Sequence, residues 1–105
     1  MNVIKEDGES AVIKAGGGEP WDDLVKMSVD MNLSGIEAMS IIPGTCGAAP
    51  VQNIGAYGQE IADTLIEVEV FNTDSGEVET IAAKDCEFKY RSSIFRDKLP
   101  GKYII

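Results

Sequence analysis

Ile42-Pro43-Gly44-Thr45-Cys46-Gly47-Ala48-Ala49-Pro50-Val51-Gln52-Asn53-Ile54-Gly55-Ala56-Tyr57-Gly58 is the stretch of this chain with the plainest chemical potential. Four glycines and three alanines lie in it. Glycine admits positive φ and has no Cβ, and alanine adds minimal bulk, so a planar or phosphorylated ligand could lie directly against main-chain amides. The same composition also suits a tight internal packing site, and the residues by themselves leave both readings open.

The remaining reactive groups narrow the chemistry mainly by exclusion. There is no histidine, which removes the usual Ser/His/Asp and Cys/His nucleophile arrangements. The two cysteines, Cys46 and Cys86, form no C-x-x-C pair, so no metal site is expected and both are read as reduced thiols. Asp22-Asp23, Glu67 with Glu69, and Glu77 with Glu79 fall where solvated faces are expected rather than acid/base pairs. A formal charge of −9, from eighteen acidic and nine basic residues, argues against a nucleic-acid surface. No apolar run is long enough to span a bilayer and the N-terminus lacks an export signal, so a cytoplasmic protein without membrane partners is expected.

At 105 residues and 44% hydrophobic content the chain has room for one modest core. Val3–Lys5 and Ala11–Ala15, joined at Asp7-Gly8, read as a β-hairpin. Gly16-Gly17-Gly18 lacks the third glycine of a dinucleotide fingerprint and reads as a loop. Pro20-Trp21 opens an amphipathic helix, with Trp21, Leu24, Val25, Ser28 and Met31 on the face that covers a sheet and an exit across Asn32–Gly35. Ile36–Met39 adds a further turn, and a short helix from Gly44 or Thr45 through Gln52 follows. The period then changes to two: Ile66, Val68 and Val70 face inward, with Leu65, Glu67, Glu69 and Phe71 outward. Asn72–Gly76 is a turn and Glu77–Ala82 the returning strand. Lys84–Phe88 makes one helical turn, Tyr90–Phe95 is irregular, and Lys102–Ile105 has strand character, as though the sheet continued beyond it.

The order of residues from Pro43 to Gly58 resembles, nearly position for position, the flavin-binding signature of the UDP-N-acetylenolpyruvoylglucosamine reductase family. A second match follows, where Phe88-Lys89-Tyr90-Arg91-Ser92-Ser93-Ile94-Phe95 is similar to that family's Tyr-Arg-x-Ser-x-Phe segment. The resemblance spans essentially the whole chain and implies an α+β fold, a mostly antiparallel sheet flanked by helices. It corresponds to the second subdomain of a vanillyl-alcohol-oxidase-like (PCMH-type) FAD-binding domain. Residues 1–105 would then be a single partial domain, with the phosphate-loop subdomain and the substrate domain absent.

The resemblance implies FAD as cofactor, NADPH as hydride donor and a UDP-sugar as substrate. Cofactor contacts are implied for Pro43, Gly44, Thr45, Gly47, Ala48, Ala49, Gln52, Asn53, Gly55, Ala56, Tyr57 and Gly58. At Ala48 and Ala49, where some relatives carry serines, only backbone N–H would be offered. A helix starting at Thr45 would add its dipole toward a pyrophosphate. Arg91 is the implied catalytic residue, a permanently charged guanidinium that stabilises an enolate. Without the resemblance it reads equally as a surface cation paired with Asp85 or Glu87. The family's proton-donating serine and C-terminal glutamate are expected beyond residue 105. Two alternatives stay open: a flavin-binding module of another oxidase of the same superfamily, and a non-catalytic acidic interaction domain that self-associates through an incomplete sheet edge.

Overall fold

The computed structural model describes residues 1–105. Seven short strands, one α-helix and several single helical turns follow one another along the chain, and the strands form three separate antiparallel sheets.

β1 (Asn2–Glu6) and β2 (Ala11–Lys14) make the expected hairpin. The Asp7 carboxylate accepts hydrogen bonds from the N–H groups of Glu9 and Ser10 and from the Ser10 hydroxyl, while Gly8 takes φ +90°. Those donors, the Ser10 N–H foremost, hold the Asp7 carboxyl below its ordinary value. Register passes from Val3↔Ile13 to Lys5↔Val12, so Ile4 is an extra, bulged residue.

α1 spans Trp21–Asp30 with Pro20 as its N-terminal flanking residue and Asp22 and Asp23 in its first turn. Trp21, Val25 and Ser28 are buried, and beyond the helix end the chain turns away at Asn32, which adopts φ +59°. The sequence predicts a sheet beneath this face, and the structure corrects that. Trp21 and Val25 pack instead on Met39, Ala49 and Ile61, all carried by turns. The 24 residues from Leu33 to Ala56 hold two prolines, four glycines and few contiguous β-formers, so the opposing layer is a stack of turns.

The short helix expected from Thr45 through Gln52 is likewise absent. That segment is a succession of turns, closed by Ala49 N–H to Thr45 O, Val51 N–H to Ala48 O and Asn53 N–H to Pro50 O. Pro50 has no N–H to continue a helical ladder and its ring crowds the preceding turn.

β3 (Gly55–Ala56) and β4 (Gln59–Glu60) form a minimal hairpin that the sequence reading does not anticipate. Its central residues, Tyr57 at φ +50° and Gly58 at φ +83°, are both left-handed, as a twisted two-residue hairpin requires. Tyrosine is an unusual occupant of that position, and this masks the signal.

β5 (Glu67–Asn72) and β6 (Glu77–Ala82) make the expected antiparallel hairpin, in register from Glu67↔Ala82 to Asn72↔Glu77. The Asn72 side chain closes the turn by accepting from the N–H groups of Asp74 and Ser75. β7 (Tyr103–Ile104) pairs on the other side of β5, making β5 the central strand. Val68 and Val70 are buried as predicted, but Ile66 is exposed because the strand begins only at Glu67. Leu65, expected outward, packs against both hydrophobic clusters and joins them.

The second cluster comprises Val68, Val70, Cys86, Ile94 and Phe95, with Phe95 edge-on to Tyr103 at 5.9 Å. The single turn expected over Lys84–Phe88 forms instead at Ala83–Asp85, whereas Ile94–Lys98, read as irregular at its start, is a π-helical turn capped by Ser93. The Cys86 thiol has no exposed surface and donates to the Ala82 carbonyl. Burial, reinforced by Asp85, pushes its pKa up to about 11 from an ordinary 9.0. The unfolded thiol ionises first as pH rises, so this group's contribution to stability is intact below pH 9.0 and is lost between 9.0 and about 11. Urea unfolding across that interval should therefore show a fall in stability that is smaller in Cys86→Ala than in the unsubstituted protein. At pH 8, thiol labelling of the folded protein should reach Cys46 and spare Cys86.

Candidate functional site

The two halves of the glycine run are held by different neighbours. Gly44 O accepts from Trp21 N–H at 2.9 Å, Cys46 N–H donates to Glu19 O at 2.8 Å, and Gly47 N–H donates to Gly17 O at 2.9 Å. Residues 44–47 thus lie antiparallel to residues 17–21, with Thr45 bridging Pro20. A Cβ at Gly47 would sit 3.0 Å from the Gly17 carbonyl oxygen, and one at Gly17 would sit 2.7 Å from that of Ile105. Gly47 is therefore small because backbone packs on backbone inside the protein. Beside it, burial and the charges of Glu19 and Asp23 raise the pKa of the partly exposed Cys46 thiol, which keeps it protonated at neutral pH.

Two expectations about this half are corrected. The Ala48 and Ala49 N–H groups, expected to be free for a ligand, both donate to Thr45 O, and the Thr45 hydroxyl also accepts from Ala48. With no helix starting at Thr45, there is no dipole to aim at a pyrophosphate. The Ala49 side chain belongs to the core. Pro43, Gly44, Thr45, Ala48 and Gln52 remain exposed and accessible.

The second half meets Arg91. The Arg91 Nη2 group donates to Gly55 O at 2.9 Å and Nη1 reaches Asn53 O at 3.5 Å, so the guanidinium is anchored to the run by two main-chain carbonyls. A Cβ at Gly55 would fall 2.6 Å from Gln59 O and 2.7 Å from Arg91 Nη1. Glycine is required here both to close the hairpin and to admit the guanidinium. The carboxylate closest to Arg91 is Glu60, at 4.0 Å, and not the Asp85 or Glu87 expected of a surface cation; Glu87 pairs with Lys98. The Tyr90 ring lies 4.7 Å from the Arg91 guanidinium carbon.

Asn53 accounts for this juxtaposition. It is fully buried at φ +45°, its Nδ2 donates to Lys89 O at 2.9 Å, and its Oδ1 accepts from Ala62 N–H at 3.0 Å. The expected side-chain contact from Asn53 to a cofactor is corrected accordingly: donor and acceptor are both engaged within the protein. Ser93, also buried, donates from its hydroxyl to Val51 O at 2.7 Å. The two motifs are thereby tied together by side chains reaching across to each other's backbone.

Ala56, Tyr57, Gly58, Gln59, Glu60, Asp63, Tyr90 and Arg91 line one open cleft of ≈ 260 Å³. Four residues singled out from sequence, Ala56, Tyr57, Gly58 and Arg91, thus share one wall space. Gln59, Glu60 and Asp63 are additions, and carrying the hairpin register past Tyr57-Gly58 would have found Gln59 and Glu60. Gln59 also locks the hairpin to the Glu37–Met39 turn, donating to Glu37 Oε1 at 3.1 Å and accepting from Ala38 N–H at 2.8 Å. The Gly35 N–H, then Glu37's own N–H and after it the Gln59 amide, keep the Glu37 carboxyl below its ordinary value.

A family profile described as FAD binding domain matches residues 1–82. The chain belongs to the FAD binding domain family. Within this FAD binding domain family it is similar to reductases along nearly all its length. It is 47% identical to the UDP-N-acetylenolpyruvoylglucosamine reductase of Salinispora arenicola over 96 residues, 91% of this chain and 26% of that protein. It is 45% identical to the reductase of the same name from Bdellovibrio bacteriovorus over 103 residues, 98% of this chain and 31% of that protein. The crystal structure of UDP-N-acetylenolpyruvylglucosamine reductase from Thermus caldophilus superposes with a TM-score of 0.73 at 34% identity, covering 85% of this chain and 31% of that one. The chain therefore spans about a third or less of the length of the relatives it matches. The resemblance first carried by Pro43–Gly58 and Phe88–Phe95 extends through the FAD binding domain, and the α+β class follows with it.

Replacing Gly55 with alanine should destabilise the protein by about 1–3 kcal/mol through overpacking. Gly58→Ala, where φ is +83° and no atom lies within 4 Å of the added Cβ, should cost only the left-handed backbone, about 1–2 kcal/mol. Urea denaturation of both variants checks the order. Asn53→Ala should also destabilise the protein, because it removes the bonds to Lys89 O and Ala62 N–H and leaves a void where a fully buried side chain sat.

Proposed function

We propose that this chain forms one wall of the flavin and substrate site of an FAD- and NADPH-dependent reductase. That reductase converts UDP-N-acetylglucosamine enolpyruvate to UDP-N-acetylmuramate in peptidoglycan precursor synthesis. The observation that carries the reading is the meeting of bare main chain at Ala56-Tyr57-Gly58 with the Arg91 guanidinium in one cleft. Similarity to reductases over nearly the whole chain supports it.

The residues present fit such a cofactor. Pro43, Gly44, Thr45, Ala48 and Gln52 offer exposed small or polar surface, and the cleft offers a permanent cation flanked by two tyrosines. Gly47, Ala49, Asn53 and Gly55 serve the same surface from behind, by allowing its backbone to fold as it does. When bound, FAD supplies the hydride-transfer chemistry, with NADPH as the source of reducing equivalents. To Arg91 we assign the stabilisation of negative charge developing on an enolpyruvyl substrate, a role supported by a guanidinium fixed by Gly55 O and backed on one face by Tyr90. Glu60 at 4.0 Å balances that charge before substrate arrives. The cytoplasmic location expected from sequence, and with it a role in cell shape, go with this proposed activity; no helix is long and apolar enough to cross a membrane.

Because one wall encloses a ligand poorly, the polypeptide alone should separate from FAD on desalting and show no reduction of the enolpyruvyl substrate. A purified sample that stays yellow with one flavin per chain would contradict that expectation. Nuclear magnetic resonance titration with excess FAD tests the site itself: signals of Ala56–Gly58 and of the Arg91 side chain should move, and the assignment fails if they do not.

A further inference from the structure

Ile41 is the most strained residue outside the cleft. It adopts φ +67°, a region that a β-branched side chain occupies only when its surroundings impose it, and its side chain is 82% exposed. Packing of that side chain cannot be what holds the backbone. The restraint comes from the first turn of α1. The Asp22 carboxylate accepts from Ile41 N–H at 2.7 Å and from the Ser40 hydroxyl at 3.1 Å, both at Oδ1.

Trp21 holds the chain on either side of this point. Its indole N–H donates to Met39 O at 3.0 Å and its backbone N–H to Gly44 O at 2.9 Å. The chain from Met39 to Gly44 must therefore leave Trp21 and return to it within five residues, and the left-handed residue at 41 makes the reversal. Asp22 is the group that compensates for that conformation through a charge-assisted bond.

We propose that Asp22 is a positioning residue for the glycine run: by clamping Ser40 and Ile41 it delivers Pro43, Gly44 and Thr45 in the geometry that faces the cofactor. The functional half of this inference rests on the flavin reading of residues 43–58; the clamp itself does not.

The test uses isotope-labelled protein and three variants. A left-handed residue gives a strong intraresidue Hα–HN cross-peak, and the chain's one tryptophan reports the Met39–Gly44 loop through its indole resonance. The unsubstituted chain and Asp22→Asn, which keeps an Oδ1 acceptor, should show the Ile41 cross-peak and the same indole position. Asp22→Ala should lose the cross-peak and shift the indole signal. Adding Ile41→Gly to Asp22→Ala should restore the indole position, because glycine adopts positive φ without restraint. Loss of helix stability alone would not be repaired by a substitution at Ile41. A missing cross-peak in the unsubstituted chain, or one that survives in Asp22→Ala, overturns the clamp.

With FAD added, signals of residues 43–45 should respond in the unsubstituted chain and in Asp22→Asn, and Asp22→Ala should need on the order of tenfold more FAD, the worth of one hydrogen bond to a charged group. An unchanged response in Asp22→Ala despite a lost cross-peak overturns the positioning role. Silence of those signals in every variant overturns the flavin reading instead.

Discussion

Two segments far apart in sequence, 51–55 and 89–93, are joined by side chains that bond to each other's main chain. Asn53 donates to Lys89 O, Ser93 to Val51 O, and Arg91 to Gly55 O, so the partner of each side chain is a carbonyl that no substitution can remove. Asn53 and Ser93 are buried, which excludes water from the competition and makes the unbonded state costly. The cleft exists because these bonds hold; without them the Tyr57-Gly58 hairpin tip and the Tyr90-Arg91 pair would be two unrelated exposed loops.

This mode of support suits a protein with little core. Two clusters of five buried residues each are bridged by Leu65, and much of the layer under α1 is made of turns. Turns bury little apolar area, so local order comes from backbone pairing, as between residues 17–21 and 44–47, and from polar side chains that act as struts: Asp7, Asp22, Asn53, Asn72 and Gln59. Small residues enter the same logic. Gly47 and Gly55 are glycines because another part of the protein already fills the space a Cβ would take. The surface left for a ligand is thus the outer side of a backbone whose inner side is fully engaged.

Regular alternation and strong turn chemistry made the β1–β2 and β5–β6 hairpins legible, as amphipathic spacing did α1. Among the features that the structure corrects, three have a plain physical reason. The helix predicted over Thr45–Gln52 gave way to turns because Pro50 breaks the ladder. The β3–β4 hairpin was hidden by a tyrosine in a left-handed position. Asn53 was expected to face a ligand because a polar side chain beside glycines looks available, and nothing in the local sequence shows that Lys89 and Ala62 occupy it.

Residue order by itself carried the two motifs, their resemblance to a family and the α+β class which that resemblance implies, because small residues and a permanent cation are properties of residue type and spacing. Which of those residues present themselves to solvent, and which are consumed in holding the rest, was decided only by tertiary structure. The reason is that a hydrogen-bonding group has limited capacity, and whether it is already used depends on partners some 9 to 42 positions away that local pattern does not encode.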